Sequence, residues 1–161
     1  MGDRLEDYLK AVQYCVSLAD FVKMSEQEYE VFIDYLSMQQ LSPVDVTKAV
    51  VAVTLGAEGT KLITGDHERI IPSVQVDCVD TTGAGDAFVG GMLYQLAADE
   101  GAEVRKRLVK KRQEEHCDQN LVESLVAMVE FANVVGALTC TQVGAMEALP
   151  TRETVLLRQR K

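Results

Sequence analysis

The sequence contains no tryptophan, only three prolines and 6% aromatic residues among its 161 positions. So little proline, together with 47% apolar and 25% charged residues, excludes a disordered or fibrous chain. A chain of this length buries roughly 70% of its unfolded surface, which is enough for a hydrophobic core. We therefore expect residues 1–161 to fold as one compact α/β domain.

Positive charge is also scarce, because 16 Lys and Arg face 25 Asp and Glu, for a formal net charge of −9. This balance argues against non-specific binding to nucleic acid or to an acidic membrane and favours small ligands. The basic stretch 105–112 could form a phosphate-binding or localisation patch. Since Glu114 and Glu115 follow it, a solvated helix face is the favoured interpretation.

Cysteine is sparse and its spacing indicates no metal site. The four residues form neither a CxxC pair nor a Cys/His ligand pattern, so we expect reduced, mostly buried thiols. They are Cys15, Cys78, Cys117 and Cys140. No stretch of about 18 apolar residues is present, and the N-terminus lacks the order of a signal peptide. We therefore expect a cytoplasmic location and no membrane partner.

Apolar periodicity predicts most of the helices. Positions spaced three and four apart predict helices over residues 4–18, 87–98, 102–116 and 120–139, with a short last helix near 151–159. Ser25 and Glu28 form a capping box that opens one further helix, and Ser42-Pro43 begins a short one.

β-Branched and apolar runs predict the strands. Residues 20–24 form a short strand, and residues 49–55 form a strand buried on both faces. Short strands or a hairpin follow over residues 60–76, with Gly65-Asp66 as the turn. Helices and strands in this order predict an α/β layered fold with a mainly parallel sheet.

The stretch "VDTTGAGDAFVGGML", residues 79–93, places four glycines and Asp86 between two apolar runs. A strand, a glycine turn and a helix direct free N–H groups at one point, which is how many folds hold phosphate. The motif is not a P-loop, because no lysine follows Gly85. It is not a dinucleotide fingerprint either, because Phe88 stands where GxGxxG needs glycine.

A carboxylate in an anion-binding turn suggests catalysis. Asp86 would repel a bound phosphate, but it could accept a proton from a hydroxyl that attacks the phosphoryl group. The alternative is that Asp86 only caps the helix. Gly90 and Gly91 cost about 1 kcal/mol each relative to alanine, which indicates either close packing or the approach of a ligand.

The glycine-rich stretch and two neighbouring segments resemble the sequence of a known protein family. "DTTGAGDAFVGGML", preceded by "VTLGAEG" and followed by "FANVVGALT", resembles the C-terminal half of ribokinase-like, PfkB-type carbohydrate kinases, nearest to fructokinase-like enzymes. The resemblance implies a three-layer, Rossmann-like sheet with helices on both faces. It also implies that residues 1–161 are a partial domain, the nucleotide-binding and catalytic-base half of an ATP-dependent sugar kinase.

The resemblance implies a role for each matching residue. Asp86 would be the catalytic base, and the amides of Gly83, Ala84 and Gly85 would form the anion hole. Six residues would bind the nucleotide: Thr54, Gly56, Gly59, Asn133, Gly136 and Ala137. Two of these have plain structural alternatives, since Thr54 could merely end a strand and Asn133 could merely satisfy a helix contact.

The family's Asn-x-x-Glu motif near Mg²⁺ and the phosphates is altered here. In "KMSEQE", Ser25 replaces the asparagine and Glu28 keeps the glutamate. Helix capping alone would also explain both residues. The resemblance still implies ATP and Mg²⁺ as cofactors, with Glu28 in the metal and phosphate region.

Kinases of this family are roughly twice as long and carry their sugar-binding residues in the N-terminal half. We therefore expect a homodimer, or a complementary N-terminal half, to cover the exposed sheet edge. Two functions follow: the ATP-binding, catalytic part of a sugar kinase, or a non-catalytic nucleotide-binding or dimerising module. Fructose leads among the sugars by resemblance, while ribose, a nucleoside or 2-keto-3-deoxygluconate remain open.

Overall fold

The computed structural model describes residues 2–65, 67–111 and 118–159. Its sheet has four strands in the order β1-β2-β3-β4. They are β1 (Phe21–Ser25), β2 (Val50–Thr54), β3 (Thr60–Thr64) and β4 (His67–Ile71). Strands β1 and β2 are parallel, and the other two pairs are antiparallel.

The expectation of a mainly parallel sheet is wrong for these strands. Only the β1–β2 connection is long enough for the helical crossover that a parallel pair requires. A single 3₁₀ turn, Gly56–Glu58, joins β2 to β3, and a tight turn joins β3 to β4. Gly65 has the positive φ expected of that turn, whereas Asp66 lies outside the described residues. Strand β4 ends at Ile71 because Pro72 cannot continue the ladder.

The described helices follow the apolar periodicity closely. They are α1 (Gly2–Leu18), α2 (Glu26–Met38), α3 (Pro43–Val46), α4 (Ala84–Ala97), α5 (Ala102–Lys111), α6 (Gln119–Thr139) and α7 (Arg152–Gln159). Helix α4 begins three residues before the predicted start, directly after Gly83. The predicted helix 102–116 is confirmed as far as Lys111, and residues 112–116 lie outside the described residues.

Helices cover both faces of the sheet, as the sequence predicted. On one face, Val50, Ala52 and Leu62 pack with Phe88 of α4 and Leu125 of α6. Burying such side chains stabilises the fold by roughly 1.5–3 kcal/mol each. The opposite face carries a second cluster that includes Leu9 of α1, Met24 of β1 and Leu36 of α2.

Helix α6 is the central helix of the described structure. By length and composition it could cross a membrane, but 56% of its most apolar segment is buried inside the protein. Phe131 and Val134 contact Val155 of α7, while the opposite side packs on α4 and the sheet. The apolar character of α6 is therefore explained by its place in the core.

The expected burial of the cysteines and the expected exposure of the basic stretch 105–112 are both wrong in part. Cys15 and Cys78 are exposed and Cys140 is half-buried, while Cys117 lies outside the described residues. Cys78 is exposed because it belongs to the irregular segment that follows β4. In the basic stretch, Lys111 is buried and donates to the carbonyl of Lys48 at 2.6 Å, so this stretch is not wholly solvated.

The adjacent glycines of α4 have different environments. A Cβ at Gly91 would lie 3.1 Å from Cα of Ala132 on α6, whereas a Cβ at Gly90 would have no atom within 4 Å. Gly91 therefore permits the close approach of the two helices. Gly90 faces open space instead.

We expect Gly90→Ala to raise the free energy of unfolding by up to about 1 kcal/mol, because alanine favours the helix. The free energy of unfolding of Gly91→Ala should be about 1–3 kcal/mol lower than that of Gly90→Ala, because the methyl group at position 91 crowds α6. Urea unfolding of both variants measures the difference, and helix propensity cancels between them. Equal stabilities would show that α6 yields to the added methyl.

Candidate functional site

Asp80 holds the glycine turn in place. Its Oδ1 accepts the N–H of Thr82 at 2.9 Å, and its Oδ2 accepts the N–H of Gly144 at 2.9 Å. The N–H groups of Val79 and Asp80 donate to the carbonyl of Cys140 at the end of α6. The hydrogen bonds from Gly144 and then from Thr82 lower the pKa of Asp80 to about 2, so the carboxylate is charged at neutral pH.

The turn opens α4 through Gly83, which is the N-cap and has φ +78°. A Cβ there would also lie 2.7 Å from Cβ of Ala145, so glycine is required on both counts. Because Gly83 has no side chain, it leaves the amides of the first helical turn uncapped.

The amides available to an anion differ slightly from those expected. The N–H of Ala84 donates to the carbonyl of Thr81 at 3.2 Å. Among the described residues, the N–H groups of Gly83, Gly85 and Asp86 have no hydrogen-bond partner. The amide of Ala84 is thus engaged within the turn, and that of Asp86 is a further free donor. The anion-hole role expected for Ala84 stays a prediction. These free donors and the positive end of the helix dipole favour an anion.

Asp86 is exposed on the first turn of α4. Its carboxylate accepts no hydrogen bond from the described residues, and the cap position belongs to Gly83. Helix capping therefore does not account for this aspartate, although a negative charge in the first turn still stabilises the helix dipole.

Two cavities lie on either side of the first turn of α4. We call them the Asn133 cavity, about 280 Å³, and the Asp86 cavity, about 410 Å³. The Asn133 cavity brings together all six residues expected to bind a nucleotide and two from the turn: Thr54, Gly56, Gly59, Ala84, Gly85, Asn133, Gly136 and Ala137. The Asp86 cavity is lined by Gly83 and Asp86, with mainly apolar walls from α4, α6 and residues 145–155.

Asn133 lies on the cavity wall, but its polar atoms serve the fold. Its Oδ1 accepts from Oγ1 of Thr60 at 2.6 Å, and its Nδ2 donates to the carbonyls of Ile71 and Pro72 at 3.0 and 3.3 Å. These bonds join α6 to the ends of β3 and β4. The structural alternative for Asn133 therefore accounts for its amide, and the residue contributes to the cavity mainly as a wall.

Small residues bring the cavity walls close together. A Cβ at Gly136 would lie 3.1 Å from the carbonyl oxygen of Ala84, and a Cβ at Gly59 would lie 2.1 Å from that of Ile71. Thr54 ends β2, and its Oγ1 donates weakly to the carbonyl of Met24 at 3.4 Å. The strand-ending alternative for Thr54 is thus compatible with its place on the wall.

Ser25 and Glu28 form the predicted capping box. The N–H of Ser25 donates to Oε2 of Glu28 at 2.7 Å, and Oγ of Ser25 accepts the N–H of Glu28 at 3.3 Å. The hydrogen bonds from Ser25 lower the pKa of Glu28. Glu28 lines neither cavity. No cluster of three or more His, Cys, Asp or Glu is found in the described part of the chain.

Comparison with known proteins places these features in context. The sequence model described as pfkB family carbohydrate kinase matches residues 2–152. A fructokinase of Vibrio alginolyticus is 38% identical over 151 residues, which cover 91% of this chain and 43% of that protein. The chain thus spans about two-fifths of the length of this relative.

Solved structures match the fold. A fructokinase double mutant of Vibrio cholerae O395, in its fructose, ADP and potassium ion bound form, superposes with a TM-score of 0.70 at 33% identity, covering 92% of this chain and 43% of that one. Ribokinase of Thermotoga maritima superposes with a TM-score of 0.69 at 24% identity, covering 92% and 45%. The ribokinase-like fold predicted from the sequence is confirmed.

Asp80→Asn tests the hydrogen bonds that fix the turn. Folding lowers the pKa of Asp80 from 3.8 to about 2, so its contribution to stability is complete above about pH 4 and disappears as the pH falls towards 2. We expect the variant to have a lower urea midpoint than wild type at neutral pH. The two midpoints should converge between about pH 4 and pH 2.

Asp77→Asn is the matched control, because Asp77 is exposed on the same segment. Its urea midpoint should stay close to that of wild type throughout this pH range. A gap between wild type and Asp80→Asn that did not narrow with falling pH would contradict the assignment.

Proposed function

We propose, since the chain belongs to the pfkB family of carbohydrate kinases, that it forms the ATP-binding and catalytic-base part of a sugar kinase. The observation that carries the proposal is the meeting of the two cavities at the uncapped first turn of α4. One cavity gathers the residues expected to bind a nucleotide. The other contains the only carboxylate on the described walls of either cavity, that of Asp86.

The arrangement suits in-line transfer of a phosphoryl group. A triphosphate held in the Asn133 cavity would extend past Gly85 towards the free amides, with the attacking hydroxyl on the side of Asp86. Asp86 would accept the proton of that hydroxyl while the N–H groups of Gly83, Gly85 and Asp86 stabilise the charge on the transferring group. The bond between the terminal phosphorus and the bridging oxygen breaks, and ADP leaves.

The proposed acceptor is a hydroxymethyl group of a sugar, with fructose first. The Vibrio alginolyticus relative is a fructokinase, and the Vibrio cholerae structure was solved with fructose and ADP. Each match covers less than half of the related protein. As the resemblance implies, we expect the contacts that select the sugar to lie outside the matched region.

A divalent cation, with Mg²⁺ first, would enter with the nucleotide. Mg²⁺ usually keeps several waters and binds through one or two carboxylates and the substrate phosphates, so a preformed protein cage is not required. Glu28 is the carboxylate proposed for this contact: it lines neither cavity, but it is exposed and its capping bond uses Oε2 alone. The metal would neutralise phosphate charge.

The proposal includes a partner surface. Strand β1 is an edge of the described sheet, and α1 exposes Leu5, Tyr8, Tyr14 and Leu18 by 49–67%. Such an edge and apolar face suit a complementary N-terminal half or a second copy of the chain. The non-catalytic module remains the second hypothesis, but the family match favours the kinase.

Asp86→Asn separates binding from chemistry. We expect the wild-type chain to bind Mg-ATP and to show little sugar-dependent release of ADP by itself, because Asp86 lies on an exposed turn that nothing in the described structure shields from water. Any turnover on a sugar panel should fall about 100- to 10,000-fold in the variant, because the base is lost, with ATP affinity retained. Coupled ADP release and equilibrium ATP binding measure the two properties.

Only turnover separates the two hypotheses. Turnover that depends on sugar and on Asp86 would mean that copies of the chain complete the site. ATP binding without turnover fits the nucleotide part of a longer enzyme or the module. Turnover that survives Asp86→Asn would contradict the base assignment, and failure to bind ATP would overturn the proposal.

Cysteine alkylation locates the nucleotide on the protein. Cys78 is exposed and lines the Asn133 cavity, whereas Cys15 is exposed on α1. We expect Mg-ATP to slow alkylation of Cys78 by iodoacetamide at least severalfold, with Cys15 as the internal control. Peptide mass spectrometry reads each rate separately. Cys140 should react slowly, because burial and then the neighbouring Cys78 raise its pKa. Equal protection of Cys15 and Cys78 would contradict binding in the Asn133 cavity.

A further inference from the structure

Two cysteines lie together at the end of α6. Cys140 is the C-cap of that helix, and Cys78 belongs to the irregular segment that follows β4. The N–H groups of Val79 and Asp80 donate to the carbonyl of Cys140 at 2.7 and 3.2 Å. Because Val79 directly follows Cys78, these bonds hold the backbones of the two cysteines side by side, although the residues are far apart in the sequence.

The side chains of the two cysteines approach each other as well. Cys78 and Cys140 both line the Asn133 cavity. Their thiols interact directly, and this contact, after the larger effect of burial, raises the pKa of Cys140. The S–H of Cys140 donates to the carbonyl of Gly136 at 3.4 Å, which keeps its sulfur at the end of the helix. Main chain and side chains thus place two sulfur atoms beside each other on one wall of the cavity.

The two thiols differ in their access to solvent. Cys78 is exposed, whereas Cys140 is half-buried behind it. An oxidant in solution therefore reaches Cys78 first. A solvent-accessible cysteine with a second cysteine beside it is the arrangement in which a sulfenic acid is converted into a disulfide. Cys15 is also exposed, but it lies on α1 and lines neither the Asn133 cavity nor the Asp86 cavity.

We propose that Cys78 and Cys140 form a redox-sensitive dithiol, which a hydroperoxide converts into an intramolecular disulfide on the wall of the Asn133 cavity. The Cys78 thiolate attacks an oxygen of hydrogen peroxide, the O–O bond breaks, and a sulfenic acid and water form. The Cys140 thiolate then attacks that sulfur, the S–O bond breaks, and a second water leaves with the proton of the thiol. Two thiols are oxidised to one disulfide, one peroxide is reduced to two waters, and a dithiol reductant reverses the change.

The position of the pair couples its oxidation to the contents of the cavity. Both cysteines lie on its wall, together with Thr81 of the turn and Ala137 of α6. The disulfide would tie the segment after β4 to α6 by a covalent bond. A ligand that fills the cavity would cover the thiols and slow their oxidation. For Mg-ATP this consequence rests on the proposed function, whereas the dithiol itself does not depend on it.

The test treats the full chain with hydrogen peroxide at low protein concentration, which favours bonds within one chain. Peptide mass spectrometry without reduction identifies the linked cysteines, and a thiol titration counts the thiols lost. Cys78→Ser removes the first sulfur and Cys140→Ser the second, each with little change in side-chain size. Cys15→Ser is the matched control, because Cys15 is another exposed cysteine. Urea unfolding of each variant checks that the fold is intact.

We expect wild type and Cys15→Ser to lose two thiols each and to yield peptides joined through Cys78 and Cys140, with the thiols restored by dithiothreitol. In Cys140→Ser the sulfenic acid of Cys78 has no partner thiol at the helix end and should be trapped by dimedone. A folded wild-type chain that gave no peptide joined through Cys78 and Cys140 would overturn the inference. So would a chain in which Cys78 was linked mainly to Cys15 or Cys117.

Mg-ATP separates this inference from the proposed function. We expect Mg-ATP to slow formation of the disulfide between Cys78 and Cys140 severalfold, with MgCl₂ alone as the control. A disulfide that formed at the same rate with and without Mg-ATP would contradict nucleotide binding in the Asn133 cavity, and the proposed function would fail while the dithiol stands. Protection of the Cys78 thiol by Mg-ATP, without a disulfide in its absence, would overturn the dithiol alone.

Discussion

The close approach of α4 and α6 determines where the anion-binding turn lies. Gly91 faces Ala132, and Gly136 faces the carbonyl of Ala84, with about 3 Å left for any added Cβ. A larger residue at either glycine would move the first turn of α4 away from the end of β2. The two walls of the Asn133 cavity would then separate. The close packing of α4 on α6 therefore also determines the geometry of the site.

A second constraint is electrostatic. The turn offers a site for an anion, although the chain has a formal net charge of −9. Asp80 and Glu28 are negative, but backbone N–H groups already satisfy part of their charge. Of these three carboxylates, Asp86 is the one that accepts no hydrogen bond from the described residues. The free amides and the positive end of the helix dipole act at the turn itself, whereas surface charges more than a Debye length away are screened by solvent.

Local signals in the sequence predicted most of the elements, whereas the residues expected on the site wall came from the family resemblance. The capping box at Ser25 and the proline at position 43 act within four residues, so these two helix starts were predicted closely, whereas α4 begins three residues before its predicted start. The direction of the strands was predicted wrongly. The expected parallel sheet relied on the order of helices and strands, whereas the short connections between β2, β3 and β4 require antiparallel pairing. The hydrogen bond between Thr60 and Asn133 joins residues that are 73 positions apart in the sequence, and no local pattern predicts it. The role of Asp80 had only a weak signal in the sequence. In turns, an aspartate side chain often accepts a hydrogen bond from the backbone N–H two residues later, and Asp80 precedes a glycine-rich turn.

Nucleotide binding and phosphoryl transfer place different demands on this chain. The Asn133 cavity is walled by strands, α4, α6 and the segment after β4, all within the described residues. On the other side of the turn, Asp86 is exposed, and Met146 and Leu149 of the Asp86 cavity are 79% and 52% accessible. Transfer to a sugar instead of water requires that this side be covered. In the proposed kinase, nucleotide binding would therefore need only the described walls, whereas efficient turnover would depend on a surface that covers Asp86.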